Sequence, residues 1–171
     1  MKPEAIVYTS NTGSTQAFSR LLAEETGLPL YSSKEAEGTL KPGTPIIYLG
    51  WILAGKIQGY PKAAARYVIT ALGAVGMSAP GSQMQDVTKA NALPENLPLF
   101  TLQGGFDRTR LKGVYRLMMG FLSGTVVKQL EKKPVRTADE EEMLILFRQG
   151  SSRVSPAQLK GLVKWYREQA V

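Results

Sequence analysis

The sequence predicts an α/β fold: one doubly wound, five-stranded parallel sheet in the order 2-1-3-4-5, with helices on both faces. Three observations lead there. Short runs of β-forming residues alternate with helical stripes along the chain, as a parallel sheet with crossover helices requires. One run, Ile46-Ile47-Tyr48-Leu49, is apolar at every position, as a strand covered on both faces would be. The chain has 171 residues, 43% of them apolar, which is enough for one core and too few for two, so residues 1–171 form a single domain.

Taken in order, Ala5-Ile6-Val7-Tyr8-Thr9 reads as the first strand, followed by a polar turn containing glycine. A helical stripe of Ala17, Phe18, Leu21 and Leu22 then runs to Gly27. Pro29 to Ser33 gives the second strand, and the polar stretch from Lys34 to Thr44 leaves room only for a short helix. After the third strand, the alanine-rich segment from Lys62 to Leu72 favours a helix stopped by Gly73. Ala74 to Ala79 is the expected fourth strand and Leu97 to Leu102 the fifth. Leu111, Val114, Met118, Leu122 and Val126 mark a helix between Arg108 and Lys133, long or broken by Gly113, Gly120 and Gly124. Glu140 to Arg148 and Ser155 to Gln169 close the chain as helices, the latter with Ser155 as cap and Pro156 at the first helical position.

Histidine and cysteine do not occur. Disulfides, thiol nucleophiles, imidazole bases and the usual zinc, haem and iron–sulfur ligands are thereby excluded. Chemistry falls to carboxylates, hydroxyls, lysines or a bound organic cofactor. The net charge of +7 suggests an acidic partner, an anionic membrane surface or nucleic acid, and alone does not choose among them. The basic residues are scattered, without the signatures of specific nucleic-acid recognition. No apolar run approaches the ~20 residues of a membrane span. The expected location is the cytoplasm, with a peripheral place at the inner membrane face for the basic surface.

In a doubly wound sheet, ligands bind beyond the carboxyl ends of the strands, where the winding reverses. The loop there, Ser10-Asn11-Thr12-Gly13-Ser14-Thr15, carries four hydroxyls, an amide and a glycine, with no acid and no base. A helix N-terminus supplies unsatisfied N–H groups and a positive dipole end, so this array suits a terminal phosphomonoester. An ordinary helix cap needs one such residue, not six in succession.

Tyr8-Thr9-Ser10-Asn11-Thr12-Gly13-Ser14-Thr15 resembles the phosphate loop of flavodoxins, S/T-x-T-G-x-T, and the strand and helix order resembles that family over most of the chain. The resemblance implies FMN as cofactor, electron transfer as activity, and a redox protein or a quinone as partner. It also implies that the segment after the third strand, Trp51, Ile52, Leu53, Ala54 and Gly55, flanks the flavin ring, with Trp51 the stacking candidate. Ser78, Ala79, Pro80 and Gly81, after the fourth strand, would cover its other side; the aromatic often found there in flavodoxins is missing, which leaves one ring face open. Few acids border these loops, so the resemblance implies a less negative potential than that of an acidic carrier.

Gly50-x4-Gly55-Lys56 nearly spells a nucleotide-binding P-loop, but Ile57 stands where magnesium needs a hydroxyl ligand. The segment Gly104-Gly105-Phe106-Asp107 and the basic, methionine-containing stretch beyond it are similar to menaquinone-dependent protoporphyrinogen dehydrogenases of the flavodoxin-like class. That similarity implies a second activity, a quinone-linked FMN dehydrogenase, with Gly105, Phe106, Arg108, Arg110 and Lys112 touching substrate, partner or membrane. A flavin-free binding module on the same fold is the third reading.

Overall fold

A computed structural model describes residues 1–105, 124–138, 140–141, 144–145 and 152–169. The expected helices between Arg108 and Lys133 and between Glu140 and Arg148 are therefore described only in part; residues 124–132 are helical. The elements run β1 (Ala5–Thr9), α1 (Ser14–Thr26), β2 (Leu30–Ser32), α2 (Ser33–Thr39), β3 (Pro45–Leu53), β4 (Lys56–Ile57), α3 (Tyr60–Arg66), β5 (Val68–Gly76), α4 (Met84–Ala90), β6 (Leu99–Gln103) and α5 (Lys160–Glu168).

The five long strands are all parallel and lie in the spatial order β2-β1-β3-β5-β6. The sequence predicts five strands in the order 2-1-3-4-5; among the described residues the sheet has six, in the order 2-1-3-5-6 with one strand off that path. The sixth, β4, pairs antiparallel with the end of β3 through Ile52 opposite Ile57 and Leu53 opposite Lys56. Ala54 and Gly55 make the two-residue turn between them at φ 49° and 78°, both positive as a type I′ hairpin demands. Alanine is an uncommon residue in that conformation, and nothing in the apolar run before it announces a turn.

Side chains alternate across the sheet into two cores. Ala5, Val7, Ile46, Tyr48, Leu72 and Ala74 pack with Ala36, Ala63 and Val87 of α2, α3 and α4. Ile6, Ile47, Leu49, Ala71 and Val75 pack on the opposite face with Phe18 and Leu22 of α1 and with Leu162 and Val163 of α5. Helices thus cover both faces, and the apolar third strand is explained by its central place.

The start of α1 and its stop at Gly27, with φ 70° and its N–H on the Ala23 carbonyl, are where the sequence puts them. Ser155 caps a short 3₁₀ turn, Pro156–Leu159, its hydroxyl accepting from the Ala157 N–H at 3.2 Å, before α5 begins. The expected helix from Lys62 to Leu72 is a correction. It ends at Arg66, and Val68 opens a nine-residue strand. Gly73 sits inside that strand rather than after a helix, because a Cβ there would lie 2.8 Å from Leu49 Cγ. Helix α4 has no counterpart in the sequence reading.

At the exposed edge of β6, the Gln158 amide does the work of a neighbouring strand. It accepts from the Gln103 N–H at 2.6 Å and donates to the Gln103 carbonyl at 3.1 Å. Arg66 donates to the Glu37 carbonyl at 2.8 Å and so covers the end of α2.

Gly59 and Gly38 provide opposite tests of backbone need. Gly59 has φ 79°, and a Cβ there would strike the Tyr48 hydroxyl; Gly38 lies in α2 with open space around it. Gly59→Ala is expected to destabilise by about 1–3 kcal/mol, and Gly38→Ala to stabilise by about 0.5–1 kcal/mol. Urea denaturation of the two variants checks both signs.

Candidate functional site

The carboxyl ends of β1, β3, β5 and β6 lie side by side, with Thr9 in register with Gly50, Trp51 with Val75, and Gly76 with Gln103. The loop after β1 turns through Gly13, at φ 98° and ψ −14°, and α1 starts without a side-chain cap and without an acid in its first turn. The first intrahelical bond is Ala17 N–H to the Gly13 carbonyl at 2.9 Å. The amides of Ser14, Thr15 and Gln16 therefore precede any intrahelical acceptor. The Asn11 amide nitrogen is buried and has no hydrogen-bond partner. An orphaned donor beside unclaimed helix amides is the chemistry that an anion satisfies, so the loop fits a phosphate.

A cleft of about 670 Å³ opens here, lined by Tyr8, Thr9, the loop from Ser10 to Gly13, Gln16 and the Ser32-Ser33-Lys34 start of α2. Its size lies within the range of small-molecule sites. Ser14 and Thr15 are not part of this lining. Thr15 is buried, 2% exposed. The Ser14 hydroxyl accepts from the Gly105 N–H at 2.9 Å, which fastens the start of α1 to the segment after β6. Gly105 is thus placed at the rim, while Phe106, Arg108, Arg110 and Lys112 lie outside the described residues.

The ring-flanking candidates lie on the same edge but not in this cleft's lining. Trp51, Ile52 and Leu53 continue β3 instead of forming a loop, and Ala54-Gly55 is the hairpin turn. Asn91, a residue the sequence reading passed over, holds that hairpin. Its Oδ1 accepts from Ile57 N–H at 2.9 Å, while its Nδ2 donates to the Gly55 carbonyl at 2.9 Å and the Val87 carbonyl at 2.7 Å. Only the small amphipathic helix preceding it could have hinted at such a clamp.

Ser78, Ala79, Pro80 and Gly81 form the turn after β5. Gly81 N–H donates to Thr101 Oγ1 at 2.6 Å, and Gln103 Nε2 donates to the Met77 carbonyl at 3.0 Å. Side chains of β6 thereby set the position of this loop.

Across the cleft floor the Tyr48 hydroxyl lies 2.7 Å from Thr9 Oγ1 and 2.8 Å from the Gln58 carbonyl. Burial holds its pKa above the ordinary tyrosine value, with hydrogen bonds from the neighbouring hydroxyls opposing this in part. At the cleft mouth, Glu35 accepts from Ser32, whose hydroxyl and N–H hold its carboxyl below the usual carboxylate range and keep the charge engaged in a capping box. Among the described residues, no group of three or more carboxylates could hold a metal ion.

The architecture and site define the class: an α/β protein with an open parallel sheet whose order is compatible with a flavodoxin-like fold. The chain matches no protein-family model, and no curated protein matches it significantly.

Two expectations follow. Asn91→Ala leaves the Ile57 N–H and Gly55 carbonyl without their partner and should lower stability by about 1–3 kcal/mol, read as a loss of Tm and of denaturation midpoint. Tyr48, whose folded pKa is raised, contributes stability that is complete below about pH 10, the unfolded value, and is lost as pH rises through the folded value. Urea denaturation between pH 9 and 11 should show a shallower alkaline loss in Tyr48→Phe than in the wild type.

Proposed function

We propose that the protein binds FMN at the carboxyl edge of its sheet and transfers electrons through it. The observation that carries this reading is the uncapped start of α1: Gly13 turns the chain, no acid stands in the first turn, and the Asn11 amide nitrogen lies buried without an acceptor. A phosphate dianion placed there would receive the orphaned amide hydrogens and the positive end of the helix dipole.

Ser10 and Thr12 border the same cleft and add hydroxyls that donate to phosphate oxygens. The β3–β4 hairpin with Trp51, and the Ser78–Gly81 turn, stand on the edge where the isoalloxazine ring would extend. No aromatic occurs among Ser78, Ala79, Pro80 and Gly81, so the protein would leave one face of the ring accessible to a partner. When bound, FMN supplies the electron chemistry, and this chain's own groups bind, orient and shield it. With a net charge of +7, the docking partner is an acidic redox protein or an anionic surface that carries a quinone.

A fluorescence titration of the apoprotein tests this. FMN is expected to bind more tightly than riboflavin, and Asn11→Ala to weaken FMN by about tenfold or more while leaving riboflavin unchanged, since one hydrogen bond to a charged group is lost. Equal affinity for the two flavins would overturn the reading.

A further inference from the structure

Of the described residues that line the cleft beside the loop after β1, Lys34 alone carries a charge. The acids that follow it along α2 are engaged elsewhere. Glu35 accepts from the Ser32 N–H at 2.8 Å and from the Ser32 hydroxyl at 2.7 Å, and Glu37 pairs with Lys62 at 2.6 Å. Lys34 is exposed, and among the described residues its ammonium has no acid partner.

That position does not serve the helix to which Lys34 belongs. Ser32 is the N-cap of α2, so Lys34 stands in the first turn, where a cation opposes the helix dipole and an acid such as Glu35 supports it. The sheet register shows what the position faces instead. Tyr8 lies opposite Ser32 in the parallel β1–β2 pair, at the ~4.8 Å spacing of neighbouring strands, and Lys34 follows two residues on, as Ser10 follows Tyr8 at the entry to the loop. Thr9 Oγ1 and Ser33 Oγ, 2.6 Å apart, hold the two segments together one residue earlier. The flexible four-carbon stem of a lysine gives its ammonium reach over the cleft that both segments line.

We infer that Lys34 supplies the counter-charge to a phosphate held at the start of α1, approaching it from the β2 side, while the loop itself contributes only uncharged donors. This assignment rests on the phosphate reading of that loop. The Asn11 amide nitrogen, buried without a partner, is the uncharged donor that complements the lysine. Lys41, beyond the other end of α2, carries the same charge and lies outside the lining of the cleft.

Fluorescence titration of the full-length apoprotein with FMN and with uncharged riboflavin tests the assignment, at ionic strengths of about 0.01 M and 0.15 M, where the screening length is about 30 Å and 8 Å. Lys34→Gln is expected to weaken FMN by about 2- to 5-fold at the lower salt, the span of an exposed ion pair, with riboflavin unchanged. Lys34→Arg should restore FMN binding, Lys41→Gln should leave it unchanged, and the salt dependence of FMN binding should shrink in Lys34→Gln alone. Urea denaturation should find Lys34→Gln as stable as the wild type or slightly more so, because glutamine matches lysine in helix propensity and removes the charge that the dipole opposes. An unchanged FMN affinity in Lys34→Gln, an equal loss in Lys41→Gln, or a fall in stability alongside the loss of affinity overturns the assignment and leaves the loop standing. A wild type that does not prefer FMN to riboflavin overturns the phosphate reading and the assignment together.

Discussion

The open start of α1, on which the cleft at the carboxyl edge is built, depends on Gly13 holding a left-handed conformation, φ 98°, immediately before the helix. A side chain there would strain the turn, and a capping side chain would occupy the helix amides that the loop instead leaves open. The cost of an uncapped helix start is met by tertiary structure: Phe18 and Leu22 are fully buried against the sheet, and Ser14 is bonded to Gly105 from the far end of the fold. Stability comes from the core face of α1, which leaves the amides of its first turn open.

The rim around that turn is set by side chains that bond to backbone, and each comes from an element other than the one it fixes. Asn91 holds the hairpin, Thr101 and Gln103 hold the turn after β5, and Ser14 holds the segment after β6. Such clamps place loops without requiring a ligand, which is the condition for a preorganised site. Tyr48 belongs to both parts of this arrangement, with its ring in the core and its hydroxyl beneath the cleft. The ion pairs of Lys62 with Glu37 and of Arg167 with Glu25 lie at exposed positions, and their contribution to stability is small.

Local chemistry made part of this structure legible. The Ala5–Thr9 strand, the polar turn after it, the Gly27 stop and the Ser155-Pro156 cap each carry their signal within a few residues. Four of the five strands beyond the first loop were legible in outline, and the short β4 was not. Residues 67–73 were misread because alanine content spoke for a helix, while the deciding term was non-local: Gly73 must face Leu49 across the sheet. The hairpin was hidden for a similar reason. Ala54 adopts a conformation that alanine does not favour, and it is held there by pairing across β3 and β4 and by Asn91, 37 positions along the chain, whose bonds to that turn reach Gly55. The cleft's second wall, Ser32 to Lys34, lay outside any loop that the sheet order nominated, and only the packing of α2 beside β1 brings it to the loop after β1.

The most direct test of the central claim is a map of backbone and side-chain amide shifts by nuclear magnetic resonance as FMN is added to the apoprotein. The account predicts that the largest changes fall on the amides of Ser14, Thr15 and Gln16 and on the Asn11 side-chain amide. Saturable binding with those four signals unmoved, and the changes gathered elsewhere on the surface, would contradict it.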